Sequence, residues 1–221
     1  MAKKIGVILS GCGVYDGAEI HEAVITLLAI DRAGAEAVCM APDMAQMHVV
    51  NHLSGEVAPQ ETRNVLVESA RIARGKIKNI KEVKATELDA LILPGGFGAA
   101  KNLCDFAVKG AECAVHPEVA RLLREMHAEK KPLAAVCIAP AVLAQVFGGD
   151  KRSPALTIGT DADTAGALKT MGAKHHDCPV RECIIDNENK LITSPAYMLA
   201  GRISEAADGI EKTVKTLVGM I

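Results

Sequence analysis

The 221-residue sequence predicts one α/β domain, a three-layer sandwich in which helices cover both faces of a mostly parallel central sheet. Three observations predict it. Hydrophobic residues make up 49% of the chain and aromatics only 2%, so the core has to be built from Ala, Val, Ile, Leu and Met, as in strands buried on both faces. Short continuous apolar runs bounded by Gly and Pro alternate with longer stretches of helical periodicity. Finally, no repeat, low-complexity linker or compositional break divides the chain. A single domain over 1–221, with an irregular insertion at about 43–80, is the simplest organisation.

The elements follow in order. Residues 3–10 form an apolar run that stops at a glycine cluster and read as a first strand. Residues 18–33 read as a helix with Ile20, Val24, Leu27, Leu28 and Ile30 leaning to one face and Gly34 as its terminator. Residues 36–41 form a second strand, stopped by Pro42. The stretch 43–64 is polar and irregular, with a hairpin expected around Ser54-Gly55, and a short helix follows at 65–73. Residues 88–93 form a buried strand that ends in Pro94-Gly95-Gly96. Pro117 opens a helix over 117–129, where a missing N–H costs nothing. Residues 132–136 and 139–147 read as another buried strand and the helix after it, ended by Gly148-Gly149. A short strand at 155–158, a helix at 164–171, a hairpin of 180–185 with 190–193 around Asn187-Glu188-Asn189, and a closing helix at 198–218 complete the chain.

Composition narrows the partners. The formal net charge is −2 and no basic block occurs, so nothing asks for a phosphate backbone. The absence of Trp and the scarcity of aromatics argue against base-stacking platforms. The apolar stretch at 133–147 is interrupted by Pro140 and Gln145 and is too short to cross a bilayer, and the run at 5–9 is too short for a secretory signal. Neither a nucleic-acid partner nor a membrane is expected. Seven cysteines, an odd number without a Cys-x-x-Cys pair, imply free thiols in a reducing compartment. The expectation drawn from them is a cytoplasmic protein.

Ligands of open α/β sheets bind beyond the carboxyl ends of the strands, and three such ends carry special chemistry: 10–17, 94–98 and 137–140. Gly11, Gly13 and Gly17 suggest a dinucleotide loop, but the third glycine comes one residue late and Asp43 lies past the second strand. The plainer account is a loop that needs unusual backbone angles or close approach. Leu93-Pro94-Gly95-Gly96 allows backbone N–H groups to approach a bound atom, as in an oxyanion hole, although taken alone it reads better as an ordinary turn. Cys137 ends an apolar strand and precedes a helix. An elbow of this kind exposes the side chain, and helix N–H groups favour a thiolate; a cysteine taken without that context is more often buried and inert. Glu22 sits one turn into the first helix among apolar neighbours. A buried acid there would be partly protonated and able to hydrogen-bond a thiolate, whereas Glu19 reads as an ordinary solvated acid. His175-His176-Asp177-Cys178 has no matching ligand pair elsewhere, so no metal site is expected.

Taken together, these residues resemble the glutamine-amidotransferase-like superfamily, in the branch of the Parkinson-associated deglycase and the PfpI-type proteins, and most nearly the glyoxalases linked by name to lycopene synthesis. Residues 17–24 match the acid-bearing helix with Glu22 on its functional acid; Leu93-Pro94-Gly95-Gly96, then Gly98, Ala99, Asn102 and Leu103, match the glycine turn; Ala135-Val136-Cys137-Ile138-Ala139-Pro140-Ala141 match the nucleophile elbow. The resemblance implies a flavodoxin-like, class I glutamine amidotransferase-like fold and a homodimer. It also implies a glutathione-independent glyoxalase that turns glyoxal and related 2-oxoaldehydes into 2-hydroxy acids and can appear as a protein deglycase. Cys137 would be the nucleophile, Glu22 the proton carrier, and the N–H groups of Gly96 and Ile138 the substrate-binding donors, with no cofactor. The pattern departs at histidine. Ile138 stands where peptidase-like relatives carry His after the Cys, and residues 156–160 lack the later His of the deglycases. The Gly-x-Cys-x-Gly elbow and late His-x-Glu of true amidotransferases are also missing. His48 or His52 from the irregular segment are the candidate substitutes. Two other readings stay open: a redox or regulatory module built on an oxidisable Cys137, and a nucleotide-binding protein.

Overall fold

The computed structural model describes residues 2–149 and 153–221. Strands β1 (Lys4–Ile8), β2 (Glu36–Ala41), β3 (Lys78–Asn79), β4 (Ala90–Leu93), β5 (Leu133–Val136), β8 (Ile184–Asp186) and β9 (Leu191–Ser194) form one seven-stranded sheet in the order β3-β2-β1-β4-β5-β9-β8. All neighbours are parallel except β8, which pairs antiparallel with β9 as the hairpin predicts. Strands β6 (Ala155–Leu156) and β7 (Lys174–His175) pair separately. The order reverses between β1 and β4: β2 and β3 grow from β1 to one side, and β5 and β9 from β4 to the other. Such a reversal opens a crevice at the carboxyl ends of the two central strands.

The side-chain alternation of the strands makes the three layers. Ile5, Val7, Ala90, Ile92, Ala134, Val136 and Ile192 face helices α1 (Ile20–Arg32) and α7 (Ile203–Gly219), burying Ala23, Ile30, Ile210, Val214 and Leu217. Ile8, Met40, Leu91, Leu93, Leu133 and Ala135 face the opposite layer. That layer contains α4 (Pro117–Ala128) and α5 (Pro140–Phe147), with Val119, Leu122, Leu123, Met126 and Leu143 buried against the sheet. Each such side chain contributes roughly 1.5–3 kcal/mol of burial.

Helix α2 (Val65–Ile72) crosses between β2 and β3, so only the part of the expected insertion up to residue 64 is irregular. That part is tied by isolated antiparallel bridges, Ala45 to Asn64 and Val50 to Val57, which close the hairpin around Ser54-Gly55. Helices α3 (Phe106–Lys109) and α6 (Ala162–Thr170) complete the set. The closing helix starts five residues later than expected. Pro195 initiates a short 3-10 turn at Ala196–Met198, with Ala196 at φ 43°, and the chain re-enters a helix only at Ile203.

Candidate active site

The crevice gathers the ends of β1, β4, β5 and β9. Cys137 follows β5 directly and holds a left-handed backbone, φ 61°, fixed by its N–H donating to the Ser194 carbonyl of β9 at 3.0 Å. A non-glycine residue in that region costs on the order of 1–3 kcal/mol, and such strain clusters at working sites. Pro140 then opens α5, so the thiol is carried on a strand-to-helix elbow, and the residue is 7% exposed.

The turn after β4 packs onto the start of α1. Glu19 N–H donates to the Gly95 carbonyl at 3.0 Å and Gly98 N–H to the Gly17 carbonyl at 2.8 Å. Side chains have no room here. A Cβ on Gly95 would lie 2.5 Å from the Cys137 Cβ and 2.8 Å from Glu22 Oε2, and one on Gly96, at φ 89°, would lie 2.4 Å from the Glu19 nitrogen. This tight join brings the acid to the sulfur. Glu22 is fully buried and accepts from Gly95 N–H at 2.9 Å on Oε2 and from Tyr197 N–H at 3.1 Å on Oε1, and its carboxyl is within hydrogen-bonding reach of the Cys137 thiol. The Gly96 and Ile138 N–H groups also face the sulfur. The structure therefore brings all four predicted residues, Cys137, Glu22, Gly96 and Ile138, into one site.

Electrostatics correct one expectation. Burial lifts the Glu22 carboxyl to about 7, opposed by the Tyr197 N–H and reinforced by the neighbouring Glu19. Burial also pushes the Cys137 thiol well above its ordinary value, with the Glu22 charge adding to it and the Gly96 and Ile138 N–H groups working against it. Donors near the helix start were expected to favour a thiolate, but desolvation outweighs them. The sulfur therefore keeps its proton beside the Glu22 carboxyl.

Glu19 is a second correction. It is not a solvated acid: at 9% exposure it caps α1, its Oε2 accepting from Glu22 N–H at 2.7 Å. It also lines the cavity over Cys137, a space of about 320 Å³ whose other walls are Val14, Gly96, Phe97, Ala100, Phe106, Ala107, Ile138, Thr164, Tyr197 and Met198. Three of the chain's five aromatic residues stand here. The sequence reading missed Tyr197; its signal was that Ser194-Pro195-Ala196-Tyr197 ends a fourth buried strand.

The candidate substitute histidines do not join this cavity. His52 Nε2 accepts from Tyr15 N–H at 3.2 Å and Nδ1 lies 3.0 Å from the Val50 carbonyl, while Asp16 takes Val50 N–H at 2.7 Å. His52 thus pins the irregular segment over residues 13–16, and His48 is not among the lining residues. The glycine loop spends its donors on the chain: Gly11 N–H on Ser69 Oγ, Gly13 N–H on the Ala18 carbonyl and Gly17 N–H on the Gly13 carbonyl. A phosphate would find few free donors there. Among the described residues no cluster of three or more His, Cys, Asp or Glu side chains is arranged to hold a metal, and His175 Nε2 accepts instead from Ile158 N–H.

Comparison with known proteins agrees with this architecture. The mitochondrial ES1 protein homolog of Rattus norvegicus is 47% identical over 224 residues, spanning 97% of this chain and 83% of the rat protein. The mitochondrial glutamine amidotransferase-like class 1 domain-containing protein 3 of Homo sapiens is 46% identical over 226 residues, with 98% and 83% covered. An isoprenoid biosynthesis protein with an amidotransferase-like domain from Ehrlichia chaffeensis superposes with a TM-score of 0.91 at 37% identity, over 99% of this chain and 100% of that one. The rat and human relatives overturn the expectation of a cytoplasmic protein: both are mitochondrial, and free thiols indicate a reducing milieu without choosing the compartment. The family model that matches residues 12–200 spans the glycine loop, Glu22, the glycine turn, the Cys137 elbow and Tyr197, and the chain belongs to the DJ-1/PfpI family.

Proposed function

We propose that the protein is a cofactor-independent glyoxalase that converts 2-oxoaldehydes such as glyoxal to the 2-hydroxy acid. The observation that carries this reading is the convergence on one sulfur of a strained elbow, a buried acid and two backbone donors. An aldehyde carbon placed over Sγ is attacked as the thiol proton passes to Glu22, which avoids a free buried thiolate. The resulting oxyanion is held by Gly96 and Ile138 N–H and takes that proton back, completing a hemithioacetal. Glu22 then removes the C1 hydrogen as a proton while the C2 oxygen takes one up, giving an enediol; Glu22 returns its proton to C2 as the C1 hydroxyl gives up its own, leaving a thioester on Cys137. Water cleaves the carbon–sulfur bond and releases the acid and the thiol, so the net change is the addition of one water. A carboxyl that titrates near 7 suits both directions of transfer.

The test measures glyoxal loss and glycolate formation for wild type and Cys137→Ala. The proposal expects stoichiometric glycolate from wild type and none from the variant. Unchanged turnover in Cys137→Ala overturns it, and oxidation of Cys137 to sulfinic acid without any turnover supports the redox-module reading instead.

A further inference from the structure

We propose that Tyr197 and His21 are the second proton-transfer pair of this site, taking the place of the histidine that the sequence lacks, with the Tyr197 phenol acting on the substrate's second carbonyl oxygen. The inference rests on the glyoxalase reading. It starts from an imbalance in that chemistry. A 2-oxoaldehyde carries two carbonyl oxygens, and Gly96 and Ile138 N–H serve the one on the attacked carbon. When the C1 proton leaves, negative charge moves to the oxygen on C2, and no backbone donor named so far reaches it.

The cavity offers three side-chain oxygen groups. Glu19 is committed to capping α1 through its carboxylate. Thr164 is engaged with the Asp161 carboxylate at the start of α6. Tyr197 remains. Its backbone N–H holds Glu22 Oε1 at 3.1 Å, so its ring is registered against the general base by the same residue. Its hydroxyl lies 2.8 Å from His21 Nδ1, with the two rings 5.8 Å apart and tilted by 47°. His21 is exposed on α1, one residue before Glu22, and connects that hydroxyl to solvent.

The step balances. Glu22 takes the C1 proton, the C1–H electron pair becomes the C1=C2 bond, and the C2=O π pair moves onto oxygen, which takes the phenolic proton. The proton on His21 Nδ1 restores the phenol as Nε2 takes one from solvent, and when Glu22 returns its proton to C2 the C1 hydroxyl gives one up to solvent, so no net proton is consumed. Partial burial, together with the charges of Glu19 and Glu22, the acids that face Tyr197, pushes the phenol above its ordinary value, which keeps the proton on oxygen until the enediol forms. Tyr197 is on this account a catalytic residue and His21 a positioning and relay residue.

The test keeps Glu22 in place. Tyr197→Phe retains the backbone N–H, and equal iodoacetamide labelling of Cys137 in wild type and variant confirms that the site is assembled. A kcat for glyoxal about 100-fold lower with little change in KM is expected, in the range of general acid catalysis. His21→Ala should lose part of kcat and recover it when imidazole is added, a recovery absent from Tyr197→Phe. Unchanged kcat in Tyr197→Phe, or His21→Ala without rescue, overturns the inference while inactive Cys137→Ala leaves the glyoxalase reading standing. A wild-type protein without aldehyde turnover overturns both.

Discussion

Gly95→Ala tests the tight join between the β4 turn and α1. The residue is not in the left-handed region, so alanine suits the backbone and the perturbation is one methyl group in occupied space. That methyl would sit 2.5 Å from the Cys137 Cβ, 2.8 Å from Glu22 Oε2 and 3.0 Å from the Cys137 sulfur. Carbon contacts need about 3.5 Å, so nucleophile and acid must separate by about 1 Å, or the turn must retreat. Retreat breaks the Gly95 N–H bond to Glu22 and the Glu19 N–H bond to the Gly95 carbonyl. Overpacking of this kind costs about 1–3 kcal/mol, or roughly 2–12 °C in melting temperature for a domain of this size. A 1 Å misplacement of reacting groups costs about 100-fold in rate. Thermal unfolding and glyoxal kinetics measure both. Gly166→Ala, in α6 with nothing within 4 Å of its new methyl, is the control and should match or slightly exceed wild-type stability. If Gly95→Ala retains full kcat, the spatial argument for a Cys137–Glu22 pair fails.

Two further outcomes follow from the same geometry. The folded Glu22 carboxyl titrates at about 7 against an ordinary 4.5. Its contribution to stability is therefore fully present below 4.5 and lost as pH rises through 7. Glu22→Gln removes this dependence, so urea unfolding should show the variant gaining on wild type between pH 4.5 and 7 by about 1.4 kcal/mol per pH unit, about 3 kcal/mol in all, and holding level above; parallel curves refute the burial. The apolar walls contributed by Phe97, Phe106, Ile138 and Met198 should favour an apolar substituent, so phenylglyoxal should show a KM about tenfold below that of glyoxal, consistent with roughly 1.5 kcal/mol for burying about 60 Å². Equal KM values in steady-state assays refute that fit.

Most of the site that is legible from sequence stands where a buried strand stops. Gly95, Gly96, Cys137 and Ile138 follow runs of four apolar residues, and such ends can be read locally. Glu22 is legible because an acid one turn into an apolar helix has to be explained. Glu19 and Tyr197 are not, because their roles depend on partners far along the chain; for Tyr197 the strand end before it marks the place and not the role. Glu19 is buried by the β4 turn some 75 residues away, and Tyr197 reaches Glu22 across 175 positions. Two-residue strands such as β3 and β7 are too short for periodicity to register. The start of α7 was misplaced because the apolar pattern runs on through the 3-10 turn at Ala196–Met198, which only Pro195 and the left-handed Ala196 betray.

The bond from Cys137 N–H to the Ser194 carbonyl has a consequence for how the protein is made. Synthesis delivers α1, the glycine turn and the cysteine elbow well before β9 exists, and chains begin to organise from the N-terminus as they emerge. Until Ser194 arrives, the Cys137 N–H lacks its acceptor, and until Tyr197 follows, Glu22 Oε1 lacks the Tyr197 N–H. The constellation is therefore complete only once β9 and the turn after it are in place. A nascent or truncated chain that lacks them carries an ordinary thiol.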